Sequence, residues 1–276
     1  MRRNRSGNRG NRGGGFSLGK IFGIAIRINV TWLLILPLIT WNLSTAFANT
    51  HPDWSTGLTW GIGLVSALLL FTSVLAHELA HSLVAKKQGI PVDDITLFLF
   101  GGVSDIEEEP KSPGGEFLMA ALGPLTSFVI GIALLLLGGS ITDIQASGMN
   151  AENLLSRLSP FGTVVFWLGS INIVLGVFNL IPGFPLDGGR ILRSIVWGLS
   201  DNLQLATAVA ATAGKVIAFL MIGSGILMIL GVRIPFFGTG IFNGIWLALI
   251  GWFLFSGAQQ QSRRQLRSSS YQESES

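Results

Sequence analysis

Six long apolar runs separated by short polar stretches dominate the chain: Val30 to Ala48, Leu58 to Val84, Glu116 to Gly139, Pro160 to Ile181, Ala208 to Leu230 and Phe236 to Gly257. A helix that crosses the hydrocarbon core of a bilayer needs about 20 residues at a rise of about 1.5 Å each, and every run meets or approaches that length. The pattern predicts six spanning helices. Two short stretches depart from it. Ile24, Ile26 and Ile28 alternate with Ala25, Arg27 and Asn29, and Ile95 to Phe100 is rich in β-formers and stops at Gly101-Gly102. Both read as short strands to be paired at the inner membrane face, since an open sheet edge in lipid leaves backbone groups unsatisfied. The expected fold is an all-α polytopic membrane protein with a small β-sheet at the cytoplasmic membrane face.

Composition narrows the function classes. Of the 276 residues, 49% are hydrophobic and only 12% charged, with a mean hydropathy of +0.57. So little charge argues against a soluble enzyme and against a disordered chain. There is no Cys, which removes disulfide frameworks, iron-sulfur clusters, thiolate zinc sites and Cys nucleophiles together. Metal or nucleophile chemistry must use His, Asp, Glu or water.

The distribution of positive charge sets topology rather than nucleic-acid binding. With both termini cytoplasmic, as six crossings require, 16 of the 18 Lys and Arg lie on the inner side and only Arg157 and Arg233 lie outside. That asymmetry follows the positive-inside tendency and predicts a multi-pass protein of the cell membrane. Residues 1–20 read as a disordered basic arm, 21–258 as one six-helix domain, and 259–276 as a disordered polar tail. No small-residue cleavage site follows the first apolar run, so a removable signal peptide is not expected.

The second apolar run ends in His77-Glu78-Leu79-Ala80-His81. Residues four apart lie about 40° apart around a helix axis, so His77 and His81 project from one face and can hold one Zn²⁺. Glu78 lies about 100° from His77 and can approach the metal-side water without ligating. The bland alternative, a chance motif in an amphipathic helix, is weak here, because three ionisable residues within an apolar helix cost several kcal/mol unless paired, ligated or wet. A third ligand is needed. The fourth run ends in Asn179-Leu180-Ile181-Pro182-Gly183-Phe184-Pro185-Leu186-Asp187-Gly188-Gly189-Arg190, a helix broken by two prolines and followed by a lone acid. The second and fourth runs cross in the same direction, which brings His81 and Asp187 to the same side. Asp187 alone would read as a cap for the next helix or a partner for Arg190. Beside the His motif it reads as the third zinc ligand, with water completing a tetrahedral site.

His77-Glu78-x-x-His81 and Asn179-x-x-Pro182-x-x-x-x-Asp187-Gly188-Gly189, in that order on two apolar segments, resemble the site-2 protease family of intramembrane zinc metalloproteases, peptidase family M50. Phe100-Gly101-Gly102 and Ala121-Leu122-Gly123-Pro124 extend the resemblance between the two motifs. The likeness is to the branch with six spanning helices, here without the CBS or PDZ modules that other members carry. It implies a zinc metalloendopeptidase with one Zn²⁺ on His77, His81 and Asp187 and Glu78 as general base. It also implies Asn179 as a donor to the scissile carbonyl oxygen, and substrates that are single-span membrane proteins such as membrane-tethered regulators or anti-sigma factors. For Asn179 a helix-helix hydrogen bond stands as an equal alternative, because Asn172 lies seven residues earlier on the same face.

Further expectations attach to the surroundings of the site. Gly101 to Gly115, with Glu107, Glu108 and Glu109, is a candidate passage for water, or a plain solvated loop. The strand from Ile95 to Phe100 is a candidate for receiving unwound substrate by β-addition. Glu116 reads as a helix-end charge, His51 as a surface histidine, and Ala206 to Gly214 as a packing stripe. Two other classes compete with a protease: a permease whose polar residues line a path, and an inactive scaffold that keeps zinc for stability.

Overall fold

In the computed structural model, residues 15–98, 101–106, 110–141, 155–235 and 237–275 are described. In chain order the elements are β1 (Gly15–Ile21), β2 (Ile24–Asn29), α1 (Trp32–Thr50), α2 (Thr56–Lys87), β3 (Val92–Phe98) and β4 (Gly101–Ile106). They continue with α3 (Pro113–Ile141), α4 (Pro160–Asn179), α5 (Asp187–Ser200), α6 (Leu203–Ile229) and α7 (Ile241–Glu275). All of these helices except α5 contain a stretch long and apolar enough to cross a membrane, six in all among the described residues. They coincide with the six apolar runs of the sequence, with ends displaced by a few residues.

The strands form one sheet in the order β1-β2-β3-β4. β1 pairs antiparallel with β2 through the two-residue turn Phe22-Gly23, β2 runs parallel to β3, and β3 pairs antiparallel with β4. Alternation in β2 places Ile24, Ile26 and Ile28 in the interior. Ile26 and Ile28 stand opposite Ile95 and Leu97 of β3, also buried, so one face of the central pair is wholly apolar.

Five expectations change. Residues 15–20 of the basic arm are the main part of strand β1, because positive φ at both Phe22 and Gly23 closes a hairpin onto β2; residues 1–14 lie outside the described residues. The tail does not leave the helix at 259, since α7 continues to Glu275, its Gln, Arg and Ser run containing no Gly or Pro to stop it. The strand expected over Ile95 to Phe100 begins at Val92, and residues 99–100 lie outside the described residues. β3 is flanked by β2 and β4, so its backbone groups are already paired on both sides and it cannot accept a further strand. Finally, Gly101–Ile106 of the expected water passage is strand β4 rather than loop, while Glu107, Glu108 and Glu109 lie outside the described residues.

Two compact units can be distinguished. The first comprises Met1–Ser82, Pro91–Glu108 and Ile130–Ile171. Its interior is built on Leu43, Phe47 and Ala67, with Leu36, Ile39, Ile62 and Trp167 packed around them. Gly63 lets α2 approach α1 closely: a Cβ there would stand 2.9 Å from the Thr40 carbonyl oxygen. The second unit comprises Leu83–Ile90, Glu109–Val129 and Asn172–Ser276. Its interior holds Leu186, Ala218 and Leu254, and a smaller cluster of Phe184, Ala210, Ala211 and Ala258. Helices α6 and α7 touch backbone to backbone, with Gly225 and Gly244 each against the other's carbonyl oxygen and Gly251 against Ala218. Small residues do this work between apolar helices because van der Waals contact replaces the hydrophobic effect in lipid.

Candidate metal centre

His77 and His81 sit one helical turn apart near the end of α2, each only 4% exposed. Their rings meet edge to face with centroids 4.9 Å apart, so the i, i+4 spacing brings both imidazoles to one face as the helix period requires. Two imidazoles buried in an apolar helix need a compensating partner. Glu78, between them in sequence, is half-buried.

Asp187 is placed by a different device. α4 ends at Asn179 because Pro182 cannot supply a helical N–H. The following turn is held by Gly183 N–H to Ile181 O at 2.8 Å, Leu186 N–H to Gly183 O at 3.1 Å and Phe184 N–H to Ala210 O at 3.3 Å. Small residues make that turn possible. A Cβ on Gly188 would collide with the carbonyl oxygens of Leu180 and Ile181, and one on Gly214 would collide with that of Phe184. The stripe Ala206 to Gly214 is thus a packing surface, as expected, and what it packs is the Asp187 turn. Asp187 itself is the first residue of α5, half-buried, and Leu186 occupies the cap position with no side-chain cap bond. Asp187 thus stands inside the first turn of α5 rather than at its cap position. Arg190 is directed at Met119, 3.1 Å from its sulfur, and at Glu116, 4.0 Å away.

One ligand atom from each of His77, His81 and Asp187 falls within a set whose members all lie within 4.8 Å of one another. Donors about 2.0–2.2 Å from a shared tetrahedral zinc stand roughly 3.4 Å apart, a separation that falls inside that bound. Two neutral imidazoles and a carboxylate are a donor set suited to Zn²⁺. Among the described residues this is the group of His, Asp and Glu that fits a metal.

Asn179 lies at the end of α4, half-buried, and its Nδ2 donates to the Leu175 carbonyl oxygen of its own helix at 3.0 Å. That bond is intrahelical, not the helix-helix bond weighed from sequence. The amide nitrogen carries a second proton for another acceptor. Asn172 is fully buried one face-repeat earlier.

The sequence reading missed two features. Glu116 is not a simple helix-end charge: it is completely buried in the first turn of α3 and paired with Arg193, whose Nε donates to its Oε1 at 2.6 Å. The Arg193 guanidinium also lies over the Phe184 ring, 5.4 Å from its centroid, which ties the ion pair to the turn that precedes Asp187. An acid at the head of one apolar run and two arginines on a short amphipathic helix were the available signal. His51 is likewise not a surface residue. It is 2% exposed, stacks on Trp54 at 3.7 Å, and shares a 3.1 Å hydrogen bond with the Thr163 hydroxyl. Burial pushes its imidazole below the ordinary histidine range, opposed by the nearby Asp53 carboxylate and by the hydrogen bond the ring donates to the Ser156 backbone carbonyl.

Comparison with known proteins is consistent with this arrangement. The peptidase family M50 profile matches residues 65–223. The Synechocystis sp. protein sll0528 is 40% identical over 89% of this chain and 59% of its own length. Zinc metalloprotease MJ0392 of Methanocaldococcus jannaschii is 36% identical over 89% of this chain and 60% of its own. The chain thus spans about six tenths of the length of these curated relatives. The solved site-2 protease from Methanocaldococcus jannaschii superposes with a TM-score of 0.56 at 33% identity, covering 90% of this chain and 95% of that one. With the family profile matching more than half its length and its six apolar helices following that fold, the chain is a multi-pass membrane protein of peptidase family M50.

Proposed function

We propose that this chain is an intramembrane zinc metalloendopeptidase that hydrolyses peptide bonds within or near the membrane-spanning segments of single-span proteins, membrane-tethered regulators or anti-sigma factors among them. The observation that carries the proposal is the grouping of His77, His81 and Asp187 donor atoms within 4.8 Å in a chain whose family relatives include a zinc metalloprotease.

In this reading His77, His81 and Asp187 hold one Zn²⁺. When bound, the ion supplies Lewis acidity and brings the pKa of water to about 7. Glu78 accepts the water proton and returns it to the leaving amine, a general-base and then general-acid role suited to its place between the two histidines. Asn179 directs its second amide proton at the carbonyl oxygen, where negative charge develops in the transition state. The Pro182 to Leu186 turn, seated on Ala210 and Gly214, fixes the direction from which the Asp187 carboxylate arrives. By charge asymmetry both termini lie in the cytoplasm and the protein resides in the cell membrane.

The test is reconstitution of the full chain in proteoliposomes with a set of single-span substrates, with zinc measured by elemental analysis. The expected result is about one zinc per chain and cleavage that Glu78→Gln abolishes without releasing metal. Zinc retained with no cleavage of any substrate would favour the scaffold, and a wild-type chain without zinc would favour a permease.

A further inference from the structure

The β1–β2 hairpin carries an exposed apolar surface that the proposed chemistry does not use. Phe16 is 62% exposed, Leu18 65% and Phe22 69%. The register explains why they stay uncovered. Opposed residues of an antiparallel pair share a face, so Phe16, opposite Ile28, and Ile21, opposite Ile24, extend the apolar face of β2. On β2 that face is buried, whereas on the edge strand β1 it overhangs into the open. Leu18 falls at the register shift between Ser17 and Gly19. Phe22 occupies the turn at φ 50°, where Gly, Asn or Asp would form the same turn with less strain.

Two observations identify what covers this surface. Helix α1 has 19 residues from Trp32 to Thr50, about 28 Å of rise, which only just crosses the hydrocarbon core. Trp32 must therefore stand at the boundary of that core, and the three steps back to Asn29 place the end of the hairpin within about 10 Å of it. The second observation is charge. Lys20 lies opposite Ala25, on the other face from Ile21, and residues 1–20 hold five Arg and one Lys with no Asp or Glu. An apolar edge strand that carries Lys20, in a segment rich in Arg and without acids, fits the headgroup layer of an anionic leaflet.

We propose that the β1–β2 hairpin is an interfacial anchor, its Phe16, Leu18 and Phe22 side chains seated in the headgroup layer of an anionic membrane surface and its Lys20 paired with a lipid phosphate. The inference rests on membrane embedding and not on the protease reading.

Because the chain has no Cys, a single introduced thiol carries a unique spin label. Full-length Leu18→Cys, Phe22→Cys and, as the opposite-face control, Ser17→Cys are labelled and placed in nanodiscs with and without anionic lipid. Collision rates with oxygen and with a water-soluble nickel chelate then report depth. The expected result is a headgroup depth at 18 and 22, a shallower, aqueous position at 17, and a deeper position at 18 and 22 when anionic lipid is present. In a Lys20→Gln background the ratio of seated to aqueous label should drop about five-fold, the effect of one basic residue at such a surface. Aqueous labels at 18 and 22 in both lipids overturn the proposal. Label-to-label broadening overturns it too, since a second copy of the chain would then be the occupant. All three labelled positions are exposed, so misfolding is not expected, and an unchanged unfolding midpoint in detergent checks it.

Discussion

Arg193 and Glu116, 77 positions apart, share a buried ion pair in which Nε donates to Oε1 at 2.6 Å, with side chains 4% and 0% exposed. Buried pairs add little net stability compared with a well-packed apolar pair, but removing one member leaves an uncompensated charge. Arg193→Ala or Glu116→Ala should therefore destabilise the chain by about 3–5 kcal/mol, read as a lowered unfolding midpoint in detergent. The double variant Glu116→Leu with Arg193→Met should recover most of that loss. Failure of the double variant to recover would show that the charges themselves, rather than their mutual satisfaction, are required.

Glu78→Gln keeps the side-chain volume and removes the base. Cleavage should fall by about 10²–10⁴-fold with zinc stoichiometry unchanged. Asn179→Ala should lower kcat by about 10²–10³-fold, the range for one oxyanion donor, with a smaller change in KM. A pure KM effect would instead make Asn179 a substrate contact.

His77→Ala, His81→Ala and Asp187→Ala should each lose the metal as well as the activity. Equilibrium dialysis against a zinc buffer distinguishes this from loss of folding. Full zinc affinity in Asp187→Ala would remove it from the ligand set.

His51 supplies a pH dependence. Its folded-state pKa lies below the ordinary histidine value of 6.5, so between the two values the unfolded chain binds more protons than the folded one. Stability should then be intact above about pH 6.5 and decline as pH falls through the window beneath it. His51→Gln should flatten that part of the denaturation profile; an unchanged slope would assign the dependence to another group.

Gly214 has no room for a side chain, since its Cβ would collide with the Phe184 carbonyl oxygen. Gly214→Ala must displace either α6 or the turn before Asp187, at a cost of about 1–3 kcal/mol. Zinc affinity should decline along with thermal stability, whereas Gly223→Ala on the same helix, where nothing stands within 4 Å, should leave zinc binding unaffected.

How much of this was legible in the sequence varies with the physics of each element. The spans were readable because an apolar run of bilayer length has few other uses, and β2 because Ile24, Ile26 and Ile28 alternate cleanly. The candidate ligands were readable because His77 and His81 carry their geometry in a local spacing and Asp187 follows a helix broken by Pro182. β1 escaped because its apolar residues sit among Gly and basic residues with no clean alternation, and only the Phe22-Gly23 turn reveals the hairpin. The environments of Glu116 and His51 escaped because each depends on partners far along the chain, Arg193 in one case and Thr163 in the other. An acid heading one apolar run and the arginines of α5 were the one hint of the first contact, and nothing beside His51 hinted at the second.

The contact of Gly225 and Gly244 backbones, with Gly251 set against Ala218, has a consequence for traffic through the bilayer. Two helices that touch without intervening side chains leave no crevice for a lipid tail or a peptide to wedge between them. Any polypeptide that reached the chain from the bilayer would find this seam closed.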